Sequence, residues 1–173
     1  DAQTTCEHEV VDLGETVRRV FRMLVPLADR TEIKLTANLD RGCYVLSMED
    51  DAYQIIFNLV ENGIKYNHAG GSVHVTARHT QDEAELLVED TGMGIPQDAI
   101  EHIFERFYRV DKARSRQAGG SGLGLSIVHD AAALYGGTVT VDGVEPHGTR
   151  FTVTFPRAAA SGAPETQKEV PET

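Results

Sequence analysis

Asn58-Leu59-Val60-Glu61-Asn62-Gly63-Ile64-Lys65-Tyr66-Asn67 is the stretch on which the reading of this chain turns. Helical spacing places Asn58, Asn62, Lys65 and Tyr66 along one face. Ile55, Ile56, Leu59, Val60 and Ile64 form the opposite stripe, which must be buried against another layer. Carboxamide oxygens beside a cation suit a hydrated Mg²⁺ and the phosphates it bridges, because Mg²⁺ takes oxygen ligands and keeps much of its water. Read alone, the segment also fits, and more simply, an ordinary polar helix face.

Outward from this helix, apolar residues Leu13, Val17, Val20, Phe21, Leu24 and Leu27 mark an amphipathic helix over residues 12–29. Strands are expected at 33–39 and 43–48 around the turn Asp40-Arg41-Gly42. Acidic Glu49, Asp50 and Asp51 open the second helix, which runs to about residue 66. Residues 73–78 and 85–89 alternate around Thr80-Gln81-Asp82 and form a hairpin. A short helix is expected at 97–104, a mobile loop at 114–122, and a helix at 123–135 stopped by Gly136-Gly137. Strands at 138–141 and 149–155 follow, then a tail rich in Ala, Glu, Pro and Thr that reads as disordered. This order predicts an α+β fold: a two-layer α/β sandwich whose mixed, five-stranded-type sheet carries helices on one face. The folded unit is drawn at 11–156, with a linker at 1–10 and the tail at 157–173.

Sixteen Lys and Arg against 27 Asp and Glu give a net charge of −11, which argues against nucleic acid or an anionic membrane surface as the partner. No apolar run is long enough to span a bilayer. Cys6 and Cys43 match no metal spacing and read as two incidental thiols in a reducing compartment. Five of the sixteen basic residues fall in one short stretch, Arg106, Arg109, Lys112, Arg114 and Arg116. On charge alone that stretch is a solvated face; its glycine neighbours offer it an anion.

Three further segments carry chemistry. Asp90-Thr91-Gly92-Met93-Gly94 sets a carboxylate at a strand end before spaced glycines, so that backbone passes close to a ligand while Asp90 accepts a hydrogen bond, for which an adenine amino group is a natural donor. The pattern also makes plain turns. Gly120-Ser121-Gly122-Leu123-Gly124 enters a helix and exposes N–H groups to an anion at the positive end of its dipole, or else is a glycine-rich cap without a ligand. Its spacing is neither a dinucleotide fingerprint nor a Walker loop. Between them, Phe104-Glu105-Arg106-Phe107-Tyr108-Arg109 combines aromatics, with Phe104 and Phe107 expected to be partly core, and the positive charge that phosphates require.

Together and in this order, these segments resemble the N, G1, F and G2 boxes of sensor histidine kinases, and Gly148-Thr149-Arg150-Phe151 looks like the last nucleotide-proximal turn and strand. The resemblance spans residues 11–156 and implies the Bergerat (GHKL) ATP-binding fold, with a lid at about 114–120. It implies ATP and Mg²⁺ as cofactors. Asn58 and Asn62 would lie on the metal side and, with Lys65 and Arg109, form the catalytic set; Lys65 and Tyr66 would contact phosphate or ribose. Asp90 would read the adenine amino group beside Gly92, Gly94 and Thr149. Gly120, Ser121, Gly122, Leu123 and Gly124 would cradle the phosphates. Ser121 keeps the hydroxyl of the family's frequent Thr, and Gly63 replaces its usual Ala, at about 1 kcal/mol in a helix interior.

The function so implied is transfer of the γ-phosphate to a histidine on a separate dimerisation domain, in two-component signalling, with little activity when that domain is missing. Residues 1–10 would then be a remnant of the connecting linker. The isolated domain would be monomeric and the whole protein a homodimer that serves a response regulator indirectly. The domain would be cytoplasmic, without membrane contact of its own, in a membrane-anchored bacterial sensor. His8-Glu9-Val10-Val11-Asp12-Leu13 lacks the basic residue and proline of the family's acceptor motif, so His8 is not read as the acceptor. His68, His74, His79, His102, His129 and His147 form no ligand spacing and read as surface or structural. Two other functions compete. A chaperone- or topoisomerase-type ATPase needs a Glu base one helical turn before the metal-side Asn, where this chain has Asn58. A non-catalytic nucleotide sensor would not need Asn62, Asp90 and the glycines of the G2 box all intact. If residues 114–120 form a lid, hydrogen exchange in that segment should slow when a non-hydrolysable ATP analogue binds: the segment has no large apolar side chain to anchor it, and triphosphate supplies negative charge for Arg114 or Arg116 and an anchor for the glycine N–H groups downstream. Protection confined to 58–67 and 90–94 would make it a plain linker.

Overall fold

The computed structural model describes residues 8–108 and 124–159. In chain order its elements are β1 (Glu9–Asp12), α1 (Leu13–Thr31), β2 (Lys34–Leu39), β3 (Tyr44–Ser47), α2 (Glu49–Lys65), β4 (Ser72–His79), β5 (Glu83–Asp90), α3 (Gly124–Leu134), β6 (Thr138–Gly143) and β7 (Thr149–Pro156).

Period-two burial makes the main sheet one-sided. Val73, Val75 and Ala77 of β4, Ala84, Leu86 and Val88 of β5, and Phe151, Val153 and Phe155 of β7 are buried, and the residues between them are not. The strand order is β2-β4-β5-β7-β6, parallel between β2 and β4 and antiparallel elsewhere. The three helices cover the buried face, with α2 in the middle and packed against both α1 and α3. The other face is polar, laced by cross-strand pairs: Thr36 with His74 at 2.6 Å, Arg78 with Glu85 at 2.6 Å, and Arg150 with Glu89. The expected two-layer α+β sandwich is therefore the fold observed.

Local chemistry starts each helix. Asp12 caps α1 by accepting from the N–H groups of Gly14 (2.9 Å) and Glu15 (3.4 Å). Three acidic residues open α2, where they complement the helix dipole, but the N-cap residue, Met48, has no side chain able to cap. Tyr135, just beyond α3, takes over. Its hydroxyl accepts from the Met48 N–H (3.3 Å) and donates to the Asp51 carboxylate. One phenol thus ties the start of α2 to the end of α3.

The structure corrects the expected map in three places. The boundaries at 10 and 156 cut through paired backbone: β1 runs antiparallel to β3, and Arg157 bridges to Val45 on the other side of β3 while its N–H donates to the Asp82 carbonyl (2.9 Å). Residues 97–107 are not a helix but a chain of turns. The N–H groups of Ala99, His102, Glu105 and Tyr108 donate to the carbonyls of Pro96, Ala99, His102 and Glu105, so each bond spans three residues and no α-helical ladder forms. Phe107 is not core: it is 70% exposed with a φ of +65°, whereas half-buried Phe104 packs edge-on against Phe151 (6.3 Å between ring centres). No described helix is long and apolar enough to cross a membrane.

Tyr135→Phe should lower unfolding free energy by about 1–2 kcal/mol, since the Met48 N–H and the Asp51 carboxylate both lose their partner. Urea denaturation measures this, and nucleotide affinity should not change.

Candidate nucleotide site

The apolar stripe of α2 is buried against the sheet, which turns the opposite stripe, Asn58, Asn62, Lys65 and Tyr66, to a half-exposed border beside the β5 end. Contact there is close. A Cβ on Gly63 would lie 3.1 Å from Val73 Cγ2 and 3.4 Å from Asp90 Cβ. Glycine at this position therefore sets the helix-to-sheet spacing beside Asp90, a role that its helix propensity does not reveal.

Asp90 ends β5 with its side chain on the buried face, 8% exposed. Its Oδ1 accepts from the Gly92 N–H at 2.8 Å. Burial pushes its carboxyl up to about 6, against the opposing pull of the Gly92 and Thr149 backbone N–H groups. Thr149, itself buried, stands opposite Asp90 in the β5–β7 register. The turn after Asp90 passes close under α2: a Cβ on Gly92 would fall 2.5 Å from the Tyr66 carbonyl oxygen, which also accepts from the Met93 N–H (3.3 Å). Gly148, outside the expected site set, closes the other wall. Its φ is +134° and a Cβ there would lie 2.0 Å from the Asp90 carbonyl oxygen, so only glycine fits. Gly94, at φ +75°, lies against Gly148.

On the α2 side, Asn58 Oδ1 accepts from Gln54 (3.0 Å) and its Nδ2 donates to the Gly124 carbonyl (3.3 Å), bridging α2 to the first residue of α3. Lys65 pairs with Glu61 at 3.2 Å, both half-buried. No other described side chain hydrogen-bonds to the Asn62 carboxamide. Arg106 faces Asp130 of α3 at 3.6 Å, an exposed pair. Arg109, Lys112, Arg114, Arg116, Gly120, Ser121, Gly122 and Leu123 lie outside the described residues, as does Cys6. Cys43 is buried, with its thiol pushed up to about 11 by that burial. His8 precedes a strand instead of lying in a helix, and its ring packs edge-on against Tyr135.

Two groups escaped the sequence reading. Asn67 stitches the α2 exit to the sheet: its Nδ2 donates to the Ser72 carbonyl (3.0 Å), its Oδ1 accepts from Thr91 Oγ1 (3.3 Å), and Thr91 Oγ1 accepts from the Ser72 N–H (2.9 Å). His147 Nδ1 bonds the Gly92 carbonyl at 3.0 Å. An Asn after a helix and a lone His in a turn carry no periodic signal that would single them out.

With this geometry in place, comparison with known proteins is informative. The family of Histidine kinase-, DNA gyrase B-, and HSP90-like ATPases matches residues 47–159. The sensor histidine kinase RppB of Synechocystis sp. is 37% identical over 158 residues, which are 90% of this chain and 35% of RppB. Among solved structures, the mycobacterial sensor histidine kinase MprB is 30% identical with a TM-score of 0.73, covering 86% of this chain and 97% of that one. Full-length ShkA in complex with AMPPNP is 31% identical with a TM-score of 0.75, covering 92% of this chain and 33% of ShkA. The chain belongs to the histidine kinase-, DNA gyrase B- and HSP90-like ATPase family, as the ATP-binding catalytic domain of a sensor histidine kinase. It spans about a third of the length of RppB.

The raised Asp90 carboxyl has a stability consequence. Between the ordinary value of 3.8 and about 6, the folded domain holds a proton that the unfolded chain has lost. Stability therefore falls as pH rises through that window, and above it the domain carries the full cost of a buried carboxylate. Asp90→Asn should raise the unfolding free energy of the nucleotide-free domain by about 1–3 kcal/mol at neutral pH. Near pH 4 the gain should vanish. Denaturation at the two pH values checks the sign.

Proposed function

We propose that this domain holds Mg²⁺-ATP with adenine against Asp90, and that the protein passes the γ-phosphate to a histidine on a separate dimerisation domain. The observation that carries the reading is the buried Asp90 carboxylate at a strand end, walled by two glycines that admit no side chain. A buried acceptor whose remaining oxygen finds an N–H donor in adenine recovers part of its desolvation cost. Guanine presents a carbonyl oxygen at that position, so ATP is favoured over GTP. The complex of ShkA with AMPPNP, an ATP analogue, supports a nucleotide in a relative of this similarity.

The residues present fit Mg²⁺. Asn62 offers a carboxamide oxygen that no described side chain engages, on the border of the same cleft, and Mg²⁺ needs only one or two protein oxygens when phosphates and water complete its shell. When bound, the ion supplies charge neutralisation at the phosphates. Asn58, one helical turn before Asn62, ties that face of α2 to Gly124 of α3, and Gly120, Ser121, Gly122, Leu123 and Gly124 would hold the phosphates. Lys65 and Tyr66 approach phosphate or ribose, and Arg109 neutralises the terminal phosphate. Hydrolysis is the weaker reading: Asn58 is an amide that takes no proton from water, and its Nδ2 and Oδ1 already bond to Gly124 and Gln54. In the whole protein the domain would be cytoplasmic, within a membrane-anchored homodimer whose phosphohistidine supplies a response regulator.

The test is to mix the domain with the protein's own dimerisation domain and γ-labelled ATP. Label should appear on a histidine of the second domain. Asn62→Ala should abolish both labelling and the Mg²⁺ dependence of ATP binding while leaving the melting temperature unchanged, because truncation on the polar face opens no cavity. Asp90→Asn should weaken ATP binding by about 1.5–3 kcal/mol. Free phosphate without labelled histidine would overturn the kinase reading.

A further inference from the structure

His68 and His147 are distant in sequence and adjacent in space. His68 lies in the turn that leaves α2, and His147 in the connection between β6 and β7. Their ring centres are 5.4 Å apart, with the planes inclined at 64°. Two imidazole nitrogens about 2.1 Å from one ion, at a near-tetrahedral angle, put their ring centres about 5.2 Å apart. The observed spacing is that of two rings able to share an ion with little rearrangement.

The tautomer of His147 points the same way. Its Nδ1 lies 3.0 Å from the Gly92 carbonyl oxygen. A carbonyl only accepts, so Nδ1 carries the proton and Nε2 presents its lone pair. A ring N–H held by a carbonyl is also the usual support of a metal-bound histidine, because it fixes ring orientation and raises the basicity of the other nitrogen. On the opposite side, the His68 backbone N–H donates to Asn67 Oδ1 at 2.9 Å, within the Asn67–Thr91–Ser72 network. Both residues are exposed, which leaves the remaining coordination positions to water.

We propose that His68 and His147 form a two-imidazole site for a divalent transition-metal ion, Zn²⁺ or Ni²⁺, on the rim of the Asp90 pocket, beside the Gly92 turn and the Gly148 wall. Imidazole nitrogens favour these ions over Mg²⁺, which prefers oxygen, so the site does not compete for the ion that accompanies ATP. The net charge of −11 raises the local concentration of any cation. Among the described residues no group of three or more metal-ligating side chains is gathered, so the ion is exchangeable and not a structural zinc. When bound, it joins the α2 exit, the turn after Asp90 and the β6–β7 connection in one tether.

The experiment is a calorimetric titration of the chelator-treated chain, without nucleotide, using Zn²⁺, Ni²⁺ and, as the control, Mg²⁺. One Zn²⁺ or Ni²⁺ per chain should bind with a rise in melting temperature, and Mg²⁺ should give neither. His68→Ala should weaken binding by about tenfold or more. His147→Asn should do the same while keeping an N–H donor at the Nδ1 position for the Gly92 carbonyl, so a loss there is not misfolding. The melting temperature of each metal-free variant should match that of the parent. Zn²⁺ binding unchanged in both variants, or no saturable binding in the parent, would reduce the pair to an edge-on ring contact and overturn the proposal.

Discussion

The closeness of α2 to the sheet governs the rest of the structure. A helix advances by 100° per residue, so burying Ile55, Ile56, Leu59, Val60 and Ile64 fixes where Asn58, Asn62 and Lys65 must point. Slipping the helix by one residue would bury a carboxamide and expose an isoleucine. Gly63 brings the helix down far enough for its C-terminal end to touch the β5 end, where Gly92 passes under the Tyr66 carbonyl. The core and the site are thus two faces of one packing decision, and neither can be altered alone.

Within that frame the two halves of the site are built on opposite principles. At the sheet end, Asp90 is desolvated and held by backbone N–H groups, so its environment is rigid and unfavourable to charge until a donor arrives. Along the helix, Lys65 is already paired with Glu61 and Asn58 with Gln54 and Gly124, so in the proposed function those groups would have to exchange one partner for another. In the proposed function, the first half would select a base by what it lacks, and the second would adapt to phosphate by what it can release.

The sequence exposes what is periodic. The stripes of α1 and α2, the alternation of β4, β5 and β7, and the carboxylate before spaced glycines are all readable within a window of a few residues. Features made by distant partners are not. Glu9–Asp12 is a strand only because β3 lies beside it, and Met48 needs no capping side chain only because Tyr135 arrives from the far end of α3. His68 and His147 show no ligand spacing, yet the fold sets them ring to ring. The turns at 97–107 imitate a helix at 97–104 because acidic and apolar residues follow a proline, while the bonding repeats at every third residue. Phe107 fails for a related reason, since hydrophobicity predicts burial only where the backbone turns the side chain inward.

β3 has one more property. Its Val45 is flanked by Val11 on one side and by Arg157 on the other, so backbone from near both ends of the described segments lies on a single strand. Two strand spacings separate those neighbours, about 10 Å. Topologically the domain is close to a closed ring, with its seam on the small sheet. A chain with this geometry tolerates circular permutation: a few flexible residues span the seam, and new ends opened at an exposed turn such as Thr80-Gln81-Asp82 leave every long-range strand pairing in place.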